Sequence, residues 1–167
     1  IGGGGHAISI MNLIERNFKN IKILGYSDNS KTELNLKYLG SDDLILKKNQ
    51  RMKLIMAIGT NINLRKKIFE KFKRKNFDFL TIVDKNSVIS KSTKICEGSV
   101  IFPNSVIGPQ AVLEENVVIH SGAVIEHHTI IKKNSYIGPS ATICGHSIVN
   151  KNCLIGASSC VIENIII

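Results

Sequence analysis

From Ile89 to the end of the chain, every sixth residue is a branched aliphatic: Ile89, Ile95, Ile101, Ile107, Leu113, Ile119, Ile125, Ile131, Ile137, Ile143, Val149, Ile155, Val161 and Ile167. A helix repeats its apolar face every 3.6 residues and a half-buried strand every 2, so a strict period of six fits neither. Four residues after each aliphatic the chain mostly sets a small side chain, as at Thr93, Ser99, Ser105, Ala111, Ala123 and Ala141, with Val117 and Ile165 as bulkier exceptions. One series is expected to fill an interior and the other to fit tight corners.

Units of six residues, each a short strand plus a corner, define a parallel β-helix of hexapeptide repeats. Three units make one triangular turn, so residues 18 apart stack about 4.8 Å from each other. This register places side chains. Ile125 points inward, and His127 lies near a corner with its side chain outside. Gly145 sits one turn above His127, and His146 one turn above His128. The three histidines and the glycine therefore form one patch on one edge, where no inward packing requires an imidazole. His120 falls outside that patch and reads as a surface residue.

The first half has a different texture. Ile1 ends a strand and is followed by Gly2-Gly3-Gly4-Gly5-His6-Ala7, then by an amphipathic helix from about Ala7 to Asn17 with Ile8, Ile10, Met11, Leu13 and Ile14 on its apolar face. Further strands are expected at Ile21 to Tyr26, Leu54 to Ile58 and Phe77 to Val83, and a helix at Leu64 to Lys75. Alternating strands and helices imply a parallel sheet whose ligands bind beyond the carboxyl ends of its strands. The loops at those ends hold Gly4, Gly5 and His6, then Asp28, then Gly59 and Thr60. The glycine run formally satisfies a dinucleotide fingerprint, with Asp28 placed for a ribose, but the unit is too short for both halves of a dinucleotide fold. A half-fold cradling one nucleotide's phosphates at a helix N-terminus is the more economical reading. Asp28 as a plain turn residue, and His6 as a helix cap, stay open beside it.

Residues 1–88 hold 17 Lys and Arg against 8 Asp and Glu, and so carry the whole net charge of +9. The densest basic stretch, Arg65 to Lys75, reads as one solvated helix. Aromatic residues do not interleave with it as a single-strand binder requires, so nucleic acid is not an expected partner. No apolar run reaches the length of a membrane span. Cys96, Cys144, Cys153 and Cys160 make no Cys-x-x-Cys pair and read as reduced thiols, which places the protein in the cytoplasm. The chain lacks an initiator Met and ends on a bare Ile165-Ile166-Ile167, so we expect a piece of a longer protein, cut at both ends. Its domains are expected at 1–84 and 85–167.

The order of motifs resembles a bacterial sugar acetyltransferase family whose members modify UDP-linked amino sugars in the bacillosamine pathway, perosamine-type sugars or sialic acid. The resemblance rests on the glycine run with His6, on Leu39-Gly40-Ser41-Asp42-Asp43, on Ala57-Ile58-Gly59-Thr60-Asn61 followed by Arg65-Lys66-Lys67, and on Val124-Ile125-Glu126-His127 ahead of the hexads. It implies an α/β, half-Rossmann-like nucleotide-sugar domain, then a left-handed parallel β-helix, a homotrimer, and acetyl-CoA bound between protomers. It further implies His127 as general base and a Gly145 N–H for the acetyl carbonyl, with the UDP-sugar held by the N-terminal unit. Tyr136 and His146 are expected near the coenzyme. Family members often follow the catalytic histidine with Glu or Asp; here His128 holds that place and Glu126 precedes, so the group that orients His127 is left open between them.

The expected activity is acetyl transfer from acetyl-CoA to the amine of a UDP-linked 4-amino sugar, with no metal. O-acetylation of sialic acid is the sibling alternative. A zinc lyase of the carbonic anhydrase type, drawing on His120, His127, His128 and His146, and a non-catalytic scaffold are the alternatives from other classes.

Overall fold

A computed structural model describes residues 1–48 and 52–167. They divide into two compact units, Ile1–Leu80 and Thr81–Ile167. Among the described residues, no helix is long and apolar enough to cross a membrane.

Among the described residues, the first unit holds three helices: α1 (Gly5–Asn17), α2 (Asp42–Leu46) and α3 (Ile62–Lys73). In α1 the spacing of Ala7, Ile10, Leu13 and Ile14 puts them on one buried face, whereas Ile8, expected on that face, is 60% exposed. Helix α3 starts two residues before its expected Leu64, because the Asn61 side chain accepts from the Leu64 N–H and caps it. Its Ile68, Phe69 and Phe72 join Ile45, Leu54, Met56, Phe77 and Phe79 in one core, with Phe72 edge-on to Phe77.

The basic stretch is not uniformly solvated. Arg65 is fully buried on α3 and donates from Nη1 to the Ile58 carbonyl at 2.6 Å, which corrects the reading of Arg65 to Lys75 as a solvated helix. Composition gave the charge of this helix but not which basic residue faces inward.

The expected strands of this unit are reduced to extended segments joined by single parallel bridges, Tyr26 to Tyr38 and Leu54 to Phe79. Between them, Gly2 N–H donates to Ser27 O, and Ile1 exchanges bonds with Ile55 and Ala57. The parallel order is thus kept, with Ile1 and Gly2 bonded on both sides.

The second unit is a left-handed parallel β-helix. Fourteen two-residue strands begin six residues apart, from β1 (Ile82–Val83) through β8 (Val124–Ile125) to β14 (Cys160–Val161). They stack in three parallel sheets, one led by β1 and β4 (Val100–Ile101), one by β2 (Val88–Ile89) and β5 (Val106–Ile107), one by β3 (Lys94–Ile95) and β6 (Val112–Leu113). Register is constant: Val106 pairs with Val124, Val124 with Thr142, and Thr142 with Cys160, each 18 residues on. The coil opens at β1, ahead of the 84/85 boundary, and Val83 packs in phase with the aliphatic ladder one unit before Ile89.

The ladder is buried from Ile101 to Val161, with Ile89 and Ile95 partly buried against it. Ile167, expected to be its last inward rung, is 43% exposed. The small series is buried from Ser99 to Ser147, and its hydroxyls find partners: Ser99, Ser135 and Ser147 each donate to a carbonyl 15 residues ahead. At each corner from Gly98 onward one residue takes a left-handed conformation. From Gly98 to Asn164, twelve positions six residues apart have φ between 56° and 74°, and most are Asn or Gly. Those types tolerate this region, where other L-residues are strained by about 1–2 kcal/mol.

Candidate active site

Two stacked corners carry the histidine patch. The lower follows β8 and consists of Glu126, His127 and His128; the upper follows β11 (Thr142–Ile143) and consists of Cys144, Gly145 and His146. Backbone bonds hold them in register: His128 N–H donates to Pro109 O at 3.0 Å, His146 N–H to His127 O at 3.1 Å, and Asn164 N–H to Gly145 O at 3.1 Å. The Thr129 hydroxyl adds a bond to Cys144 O at 3.2 Å. His128 and His146 occupy left-handed positions, with φ of 57° and 58°.

The imidazole of His127 lies over Gly145. A Cβ built on residue 145 would come within 2.7 Å of His127 Cε1 and 2.9 Å of Nε2, so only glycine leaves room for the ring as it stands. Gly145 is buried beneath it, and its N–H has no protein acceptor among the described residues. His127, His128 and His146 are all exposed. His127 Nδ1 lies 3.1 Å from His128 Nδ1, and one of the two nitrogens must carry the proton between them. The His146 ring stacks on His128 at 4.6 Å and meets His127 edge-on at 5.1 Å.

The neighbour that could orient His127 is therefore His128. Glu126 is exposed, and its carboxylate makes no hydrogen bond or ion pair among the described residues. Tyr136 is not part of this patch. It is buried on β10 (Tyr136–Ile137), in the sheet of β1, and packs near His120, which in turn stacks on Phe102 at 4.4 Å. His120, expected on the surface, is half-buried in that stack, and burial lowers its pKa. The zinc-lyase reading thus keeps three of its four imidazoles together. Among the cysteines, Cys160 is exposed and the other three are partly buried; all four are free thiols.

In the first unit the glycines divide by role. Gly2 has φ of 101°, and a Cβ on Gly3 would stand 2.6 Å from the Tyr26 ring, so both are required by the fold. Gly4 caps α1 and Gly5 opens it, and a Cβ on either would meet nothing within 4 Å. His6 lies in the first turn of α1 beside Gly59, whose Cβ position is 3.2 Å from His6 Cβ. Thr60 is exposed. The Asp28 carboxylate accepts from Gly3 N–H at 2.8 Å and from Asn29 N–H at 2.7 Å, so it braces the glycine turn. An apolar cavity of about 310 Å³ lies along α1, Ile23 and Leu24; none of Gly4, Gly5, His6, Asp28, Gly59 or Thr60 lines it.

Two features were not anticipated. Helix α2 begins at the Ser41-Asp42-Asp43 motif, whose Ser and acidic pair are a helix-start signal. Asp42 is buried there and accepts from the Ser27 hydroxyl at 2.9 Å. The left-handed corner positions are the second, and the recurring Asn and Gly three residues after each aliphatic are the signal that marks them.

Residues 1–72 match the family model of the PglD N-terminal domain, and residues 92–127 match that of the bacterial transferase hexapeptide, six repeats. The chain thus joins a segment similar to the PglD N-terminal domain to one similar to transferase hexapeptide repeats. No curated protein sequence matches it. Solved structures share its fold. PerB from Caulobacter crescentus, in complex with CoA and GDP-perosamine, is 22% identical with a TM-score of 0.91, covering 99% of this chain and 79% of that one. The acetyltransferase domain of PglB from Neisseria gonorrhoeae, in complex with acetyl coenzyme A, is 17% identical with a TM-score of 0.82, covering 99% and 92%. WeeI from Acinetobacter baumannii is 20% identical with a TM-score of 0.69, covering 99% and 92%.

Proposed function

We propose that this chain is an acetyl-CoA-dependent N-acetyltransferase acting on the amine of a nucleotide-linked 4-amino sugar, with UDP as the nucleotide. The observation that carries the reading is the His127 ring lying over Gly145, a base beside an unengaged backbone N–H. The like-folded PerB, solved with CoA and GDP-perosamine, supports the coenzyme and the class of acceptor. The same relative makes a GDP-linked amino sugar the second acceptor to test.

In the proposed reaction the neutral sugar amine attacks the thioester carbonyl of acetyl-CoA. The C–N bond forms as His127 accepts the amine proton, and the oxyanion takes the Gly145 N–H. Collapse breaks the C–S bond, and the imidazolium returns its proton to the departing thiolate. The contact with His128 holds the His127 ring, so that less reorganisation accompanies proton transfer. His146 stands at the same edge, where coenzyme would pass. The N-terminal glycines Gly4 and Gly5 leave the first N–H groups of α1 open to phosphate, with His6, Gly59 and Thr60 around them. Asp28 contributes by holding the turn. The protein is proposed to act as a homotrimer in the cytoplasm, with coenzyme between protomers.

Incubating the protein with acetyl-CoA and either a UDP- or a GDP-linked 4-amino sugar should release free CoA thiol and N-acetylated product. Absence of thiol release with every amino-sugar nucleotide tested would refute the assignment.

A further inference from the structure

We propose that His127, His128 and His146 also form a capture site for a first-row transition-metal ion such as Zn²⁺, and that filling it silences acetyl transfer. One ring nitrogen from each lies within 4.8 Å of the other two, and His127 Nδ1 and His128 Nδ1 are already 3.1 Å apart. Tetrahedral zinc with Zn–N bonds of about 2.0–2.1 Å needs its nitrogens roughly 3.3–3.4 Å apart. Side-chain rotation of exposed rings can close that gap, because the backbones of the two corners are already fixed to each other by the His146 to His127 hydrogen bond.

The ligand set selects the ion. Three imidazoles without a bonded carboxylate favour zinc, copper or nickel over magnesium or calcium. Three protein ligands leave a fourth position open, and the exposure of all three rings gives the ion a path in. The fold itself gives no reason for histidine here. The other ten left-handed corners between Gly98 and Asn164 are Asn, Gly, Ser or Gln, and only the two stacked at 128 and 146 are His.

Silencing follows from imidazole chemistry. A metal on either nitrogen of His127 leaves the other as N–H, so no lone pair remains to accept the amine proton. This half of the proposal rests on the transferase reading above; the binding half does not.

Calorimetric titration of the whole chain with zinc chloride, repeated with Co²⁺ followed by its visible absorbance, tests the site. One ion per chain is expected, with affinity falling at least tenfold in His128→Asn and in His146→Asn. Asn is chosen because it holds the same left-handed conformation one turn above His146, at Asn164, and at the equivalent corners Asn116, Asn134 and Asn152, so the variants keep the coil. Affinity unchanged in both variants would overturn the site, as it would if Cys144 and Cys160 held the ion instead. In the acetyl-transfer assay, zinc should inhibit over the concentration range in which it binds, with recovery on chelation. Full occupancy with undiminished turnover would overturn the silencing, whereas a protein inactive without zinc would remove the transferase reading and leave the binding result to decide the site.

Discussion

Gly145 and His127 hold one another's place: the ring edge of the histidine occupies the volume in which any side chain at 145 would begin, 2.7 Å from Cε1. The glycine's backbone is not in the left-handed region, so alanine there is restrained by the ring alone. Gly145→Ala should leave unfolding stability within about 0.5 kcal/mol, since an exposed ring can swing aside. It should lower kcat/KM for acetyl transfer roughly 10- to 100-fold, the effect of displacing a reacting group by about an ångström. Thermal unfolding and thiol release measured on the same preparation check both parts.

Removing the imidazole is the sharper change. His127→Ala should reduce kcat by roughly 10²–10⁴, the usual range for loss of a general base. KM for acetyl-CoA should change little if the ring acts only in the transition state. Steady-state kinetics decide it, and unaltered turnover would take His127 out of the mechanism.

The ladder of Ile101 to Val161 was legible because its side chains serve one purpose at one spacing, and register arithmetic alone put Gly145 above His127. The contact between His127 and His128 was not legible. Alternation along a strand sends neighbours to opposite faces, but the left-handed φ at His128 breaks alternation at the corner and turns the second ring toward the first. Arg65 shows another limit: a run of basic residues has no readable inner face until the helix packs. Val83 was legible and missed, being in phase with Ile89 and one unit earlier.

The corner asparagines should matter to stability. Asn116 donates to Asn134 at 2.9 Å and Asn134 to Asn152 at 3.1 Å, an amide ladder along one edge, each rung with positive φ. Asn134→Ala loses two side-chain bonds and adds left-handed strain, together about 2–4 kcal/mol. Asn134→Gly loses the bonds but relieves the backbone, and should cost about 1–2 kcal/mol less than Ala. Urea unfolding of the pair separates strain from hydrogen bonding.

Acidity should weaken the coil through His120. Burial against Phe102 lowers its folded pKa, so the unfolded chain binds the proton more readily. The stability this contributes is complete above an unfolded value of about 6.5 and is lost as pH falls through it toward the folded value. The urea midpoint should therefore drop between pH 7.5 and pH 5, and His120→Gln should shrink that drop. An identical drop in the variant would assign the acid sensitivity elsewhere.

Because successive turns pair at a fixed offset of 18 residues, the length of this coil is quantised. Excising one whole turn would keep each later side chain on its own wall of the prism. Excising a single hexad would rotate everything downstream by a third of a revolution, carrying His127 and Gly145 together, still matched, to a wall that faces a different direction. Growth or shrinkage by full turns is the route open to such a scaffold that leaves its chemistry pointing the same way.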